Sequence, residues 1–128
     1  MEQKQNLSIS IPMSKVDVKN LENLFNAKGK LLLKAVGNDM TWRIEPETVT
    51  FHWSRIPSAE ETEAYTNLIS KICERTLTTR ISAKRKNVEN EKYSFRCFLL
   101  GLGMIGEEYK VTRKILLKPL RILMLLSV

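Results

Sequence analysis

Histidine occurs once in this sequence and cysteine twice. Catalytic and structural metal sites are built from clustered His, Cys and carboxylate side chains, so neither a metal centre nor any other cofactor is expected. Two cysteines, Cys73 and Cys97, permit at most one disulfide, which excludes a disulfide-stapled secreted scaffold. Both fall in apolar helical patterns and are expected as reduced thiols in the core. Glycine and proline are scarce, 5 and 4 in 128 residues, so the chain is neither collagen-like nor a linker. No apolar run approaches the ~20 residues of a membrane span. The tail KILLKPLRILMLLSV is broken by Lys118, Pro119 and Arg121. The opening MEQKQNLSISI has no long apolar region and no small-residue cleavage site. A cytoplasmic protein without a membrane span is expected.

What is present suits one folded domain over residues 1–128. Hydrophobic residues make up 43% and charged residues 27%, and a chain of this size buries enough surface for a core of its own. The formal charge of +7 is uneven. Residues 1–64 carry 8 basic and 9 acidic side chains, residues 65–128 carry 13 and 5, so the C-terminal half is +8 against −1. Such a field attracts phosphate backbones, acidic protein surfaces or anionic lipid.

Hydrophobic periodicity orders the elements. Leu7, Ile9 and Ile11 alternate with Ser8 and Ser10, which predicts a short strand, at a sheet edge, ending at Pro12. Asp17 opens a helical stretch to about Ala35, interrupted by Gly29 as two helices or one with a weak point, and stopped by Gly37-Asn38. Met40, Trp42 and Ile44, then Val49, Phe51 and Trp53, predict a hairpin over 40–54 turning at Glu45-Pro46-Glu47. Pro57-Ser58 begins the clearest helix: Ser58 and Glu61 match a capping box, and Ala64, Tyr65, Leu68, Ile69, Ile72 and Cys73 form its stripe. It is expected to end near Thr76. A polar link, LTTRISAKRKNV at 77–88, follows, with a short strand at 77–82 as one reading. A helix from about Glu89 places Tyr93, Cys97, Leu100 and Met104 at helical spacing, with Phe95, Phe98, Leu99 and Leu102 broadening its apolar surface; it is expected to be nearly buried. Gly101, Gly103 and Gly106 loosen it, and a last helix runs from Glu107 to about Leu117. The fold class is α+β: a small antiparallel sheet with a central hairpin covered by helices, and a helical C-terminal half with a helical hairpin at 89–118.

No constellation fixes a reaction. His52 alternates with Phe51 and Trp53 and is expected on the outer face of its strand; Glu45 and Glu47 are its only conceivable partners. The glycines at 101, 103 and 106 follow a helix instead of a strand, so they do not make a dinucleotide loop. The cations carry more. Lys110, Lys114, Lys118 and Arg121 are spaced four, four and three and share one side if helical geometry persists, with Arg113 beside them. Arg80, Lys84, Arg85 and Lys86 lie in the link. Long cations in such a row suit phosphate contacts, and a lysine-dominated face argues against base readout. Tyr93 and Tyr109 are the aromatics near these cations. The apolar tail, Leu120 to Leu126, is expected to cover the core or form a homodimer contact.

The stretch NVENEKYSFRCFLLGLGMIGEEYKVTRKILLKPL at 87–120 resembles a signature of small proteins on conjugative and phage-like elements of Gram-positive gut bacteria, some of them labelled virulence-related. VDVKNLENLFNAKGKLLLKAVG at 16–37 resembles their opening helical region. Asn90, Tyr93, Phe95, Arg96, Tyr109 and Lys110 are among the matching positions. Gly101 stands where similar sequences often have arginine, and PLRILMLLSV departs from their polar finish. The resemblance implies a mobile-element protein and transfers no catalytic residues. The expected function is therefore non-enzymatic binding of nucleic acid or a nucleoprotein through the basic half. The alternative is an inhibitor of a host-defence protein such as a CRISPR effector, and a small enzyme is the third reading.

Overall fold

A computed structural model describes residues 6–85 and 90–120. Three strands, β1 (Ser8–Pro12), β2 (Met40–Ile44) and β3 (Thr48–Trp53), form an antiparallel sheet in the order β1-β3-β2. The 40–54 hairpin thus supplies the central strand and one edge, and β1 is the other edge. The Glu45 N–H donates to the Thr48 carbonyl at 2.8 Å and closes the turn. The register pairs Ile9 and Trp42 with Phe51. Alternation then turns Ile9, Ile11, Met40, Trp42, Val49, Phe51 and Trp53 to one face and Ser8, Ser10, Thr41, Thr50 and His52 to the other. Phe51 and Trp53 are fully buried. Trp42 is half-buried and stacks on Phe25 with ring centroids 5.1 Å apart.

The sheet's apolar face is covered by two long helices, α1 (Val18–Val36) and α2 (Ala59–Thr78). Asp17 caps α1 by accepting from the Asn20 N–H. The helix runs through Gly29 unbroken, because Leu21, Leu24, Leu31, Leu32 and Ala35 are all buried and each turn is held by tertiary packing. Ser58 and Glu61 form the reciprocal capping box of α2, and its whole expected stripe is buried. Contacts near Asp17 and Thr76 at one end and Val36, Arg55 and Glu61 at the other set α1 and α2 antiparallel. The Trp53 indole donates to the Val36 carbonyl at 2.9 Å, and its ring lies 5.4 Å from that of Tyr65.

The helical hairpin is α3 (Glu91–Gly101) followed by α4 (Lys110–Leu117), with Glu107–Tyr109 forming a 3-10 turn before α4. Gly103 and Gly106 have φ of 92° and 82°, and a Cβ at either would meet nothing within 4 Å. The turn needs their backbone freedom, not their small size. Met104 is buried between them. The α4 helix lies antiparallel along α2: Lys71 sits over the Tyr109 ring, Asn67 donates to the Thr112 hydroxyl, and Lys118 reaches the first turn of α2. Leu116 and Leu120 close the core there.

Three expectations are corrected. There is no strand at 77–82: α2 continues through Thr78 and the chain then runs irregularly. The helix at 91–101 is not nearly buried. Phe95 and Leu99 face the core, whereas Tyr93, Cys97 and Leu100 are exposed. Tyr93 lies ~200° around the helix from Phe95, and neighbours cover only the Phe95 side. Cys97 is therefore a surface thiol; Cys73 is a core one. Lys86, Arg121 and the apolar residues Ile122 to Leu126, with the homodimer contact expected of them, lie outside the described residues. Among the described residues no helix is long and apolar enough to cross a membrane.

Candidate nucleic-acid interface

The link after α2 is fixed by a ladder of asparagines. Asn20, Asn23 and Asn26 recur at spacing three along α1, so their amides lie near one line on its surface. Asn20 donates to the carbonyls of Thr76 and Thr79, at 2.8 and 3.1 Å, and accepts from the Ile81 N–H at 3.0 Å. Asn23 donates to the Ile81 carbonyl at 3.0 Å and Asn26 to that of Ala83 at 3.4 Å. These bonds satisfy backbone groups that no sheet or helix takes up. They hold residues 79–83 along α1, with Ile81 against the core.

This tethered link, α1, the end of α2 and α3 enclose a groove of about 750 Å³. Leu24, Ala27 and Leu31 of α1 contribute apolar wall. Four cations line it: Lys28 from α1, Arg75 from α2, and Arg80 and Lys84 from the link. Among the described residues, none that lines it is acidic. Tyr93 and Phe98 of α3 complete the wall. Tyr93 is 66% exposed, while Phe98 is half-buried with the Lys28 ammonium 5.4 Å from its ring centroid. The Arg75 guanidinium also donates to the Gly101 carbonyl at 3.2 Å, which ties the end of α3 to α2.

Of the cations singled out in the sequence, Arg80 and Lys84 come together here. Arg85 is exposed just beyond them and is not among the lining residues. Lys110, Lys114 and Lys118 are exposed on α4, in the expected row. Their surroundings differ from the groove: Lys114 and Lys118 share a cleft with Glu60, Glu61 and Tyr65 at the acidic start of α2. Fourteen residues of helix, roughly 20 Å, separate Glu61 from Arg75 along the axis of α2. Arg113 turns inward. Its guanidinium donates to the carbonyls of Met104 and Gly106, at 2.9 and 3.0 Å, and staples the glycine turn. Sequence reasoning missed Lys28 and Arg75. The asparagine spacing on α1 was the one local signal of a tethered segment.

The other polar cluster is Asp39, Arg55, Glu61 and Tyr65, at the corner of sheet, α1 and α2. The Arg55 guanidinium donates to the Tyr65 hydroxyl at 2.7 Å and the Val36 carbonyl at 3.2 Å, and pairs with Asp39 at 3.3 Å and Glu61 at 3.5 Å. Partial burial works against the Asp39 carboxylate, yet hydrogen bonds from backbone N–H groups and the Arg55 charge hold it below its ordinary pKa. Glu61 is also held down, first by the Ser58 N–H and against partial burial, with Arg55 adding to the effect. Burial pushes the Tyr65 hydroxyl up, partly offset by Arg55. Every member is bonded to its neighbours, which is the character of a structural network. His52 is exposed on the outer sheet face and shares a 2.8 Å hydrogen bond with Ser8. Burial raises the Cys73 thiol to about 12. Among the described residues no group of three or more His, Cys, Asp or Glu side chains is placed to hold a metal ion. Comparison with protein-family models, with curated proteins and with solved structures finds no match for this chain.

Proposed function

We propose that this chain is a non-enzymatic binding protein of a mobile element, working in the cytoplasm on nucleic acid or a nucleoprotein, with phosphates held in the groove between α1, the 79–84 link and α3. The observation that carries the reading is the convergence of Lys28, Arg75, Arg80 and Lys84 on one groove, with no acidic side chain among its described lining residues. Cations drawn from three elements and aimed at one volume raise the local anion concentration more than the same charges spread over a surface. The Lys110-Lys114-Lys118 row is a weaker, second contact region, because Glu60 and Glu61 beside it offset its charge. Four neutralised phosphates give a log–log salt slope of about −3.6 on duplex DNA and about −2.8 on single strands. Fluorescence anisotropy over a salt series tests this. Replacing Lys28, Arg80 and Lys84 with glutamine flattens the slope by two to three units; replacing Lys110, Lys114 and Lys118 flattens it less. No binding at low salt overturns the reading.

One observation favours the rival, an inhibitor that grips a host-defence protein such as a CRISPR effector. Tyr93, Cys97 and Leu100 expose an apolar stripe on α3, the kind of surface a protein partner covers. Pull-down from native lysate with and without nuclease separates the two: a nuclease-resistant protein partner supports the inhibitor.

A further inference from the structure

We infer that the groove selects single-stranded over duplex nucleic acid, with an unpaired base stacked on Tyr93. The inference rests on the phosphate-binding reading and goes beyond it. A site meant only for duplex backbone needs cations and hydrogen-bond donors on an open surface. This one adds an apolar wall of Leu24, Ala27 and Leu31 and two aromatic rings, which a duplex has no means to use because its bases are stacked inside. Its volume, about 750 Å³, is that of a small-molecule cleft. A duplex, whose major groove alone is ~12 Å wide, would rest on the rim without reaching the wall. A single strand can follow the cations with its phosphates and turn bases inward.

The two rings are not equivalent. Phe98 is half-buried and already has the Lys28 ammonium over it. Tyr93 is 66% exposed, has no ring partner among the described aromatic pairs, and stands on the first turn of α3 in the groove lining that Lys84 shares. An exposed aromatic beside a cationic track is the combination on which successive bases stack in sequence-tolerant single-strand binding. On the opposite wall the asparagine ladder holds the backbone of residues 79–83, Arg80 among them, so less backbone ordering is left to the binding step.

The test is anisotropy at low salt with labelled dT12, U12 and a 12-base-pair duplex, on the parent chain and on Tyr93→Ala and Tyr93→Phe. Both variants change an exposed side chain, and circular dichroism confirms their fold. Single strands are expected to bind at least tenfold more tightly than the duplex. Tyr93→Ala should weaken dT12 or U12 by about 5- to 100-fold, the range of one stacked base, and leave the duplex unchanged; Tyr93→Phe, which keeps the ring, should restore binding. Preference for either single strand supports the inference, and the dT12-to-U12 ratio tells DNA from RNA. Equal binding of duplex and single strands, or an equal loss on both with Tyr93→Ala, overturns it while the phosphate-binding reading stands. No binding of any of the three overturns both.

Discussion

Two glycines in one helical region have opposite roles. Gly29 lies inside α1, where an added Cβ meets only Phe25 at 3.9 Å, an ordinary contact. Gly37 ends the helix at φ 108°, and a Cβ there would sit 2.6 Å from an Asp39 carboxylate oxygen and 3.0 Å from the Arg55 guanidinium. Gly29→Ala should therefore stabilise the protein by about 0.5–1 kcal/mol through helix propensity. Gly37→Ala should destabilise it by about 1–3 kcal/mol through backbone strain and disturb the Arg55 cluster. Urea denaturation of the two variants gives the two signs directly. The cysteines differ in the same local way. Cys97 is exposed, while Cys73 is buried with its thiol raised to about 12. An aromatic disulfide reagent near pH 8 should modify one thiol quickly and the second only at the rate of unfolding; two fast thiols would contradict the burial of Cys73.

Elements were legible where their signals are local and unlegible where a distant partner decides. Ser58 with Glu61 announces the start of α2 because the capping box is complete within four residues. Strict alternation announces β3 because the apolar Val49, Phe51 and Trp53 take one face and Thr48, Thr50 and His52 the other. For α3, the stripes 93/97/100 and 95/99 both have helical spacing, and periodicity has no means of choosing which one faces the core. A strand at 77–82 is one reading of the sequence because the partner of this stretch is invisible locally: the Ile81 carbonyl is held by Asn23, 58 residues away in sequence. That bond makes a prediction about the link. Asn23→Ala leaves the carbonyl without its donor and removes a bond worth about 1 kcal/mol, so amide exchange through residues 79–83 should speed up severalfold while the core of α2 keeps its protection. The capping box makes a prediction about pH. Glu61 is depressed below its ordinary value of 4.5, so the folded state prefers its charged form. Its contribution is present above that ordinary value and is lost as the pH falls through the lower folded value. Glu61→Gln should thus be less stable than the parent at pH 7, and the gap in urea midpoints should close towards pH 3. A gap that stays constant over this range would mean that the charge of Glu61 contributes nothing.

Across the whole molecule, the charge asymmetry was readable but its geometry was not. The sequence divides into a neutral N-terminal half and a basic C-terminal half, yet Lys28 of the groove comes from the first and Arg113 of the second is spent on holding a turn. Antiparallel packing sets the start of α1 beside the end of α2, and the link then runs back along α1, so that Arg75, Arg80 and Lys84 share a groove with Lys28, 47 to 56 residues away in sequence. The same packing leaves Glu60 and Glu61 at the far end of α2, beside Lys114 and Lys118. Concentrating four like charges in one groove works against folding through self-repulsion. Arg80→Gln with Lys84→Gln should be as stable as the parent or slightly more so in low salt without ligand, since neither side chain makes an ion pair among the described residues. An oligonucleotide that binds only the folded chain raises stability by RT ln(1 + [L]/Kd), about 2.7 kcal/mol at a hundredfold excess over Kd, several degrees in Tm for a domain of this size. The parent should show that rise with dT12 in thermal melts at low salt and lose it as salt is added; the double variant should show little of it at any salt. A double variant that melts well below the parent before any ligand is added would mean that Arg80 and Lys84 hold the fold together, and would remove the reason for regarding their convergence as a binding device.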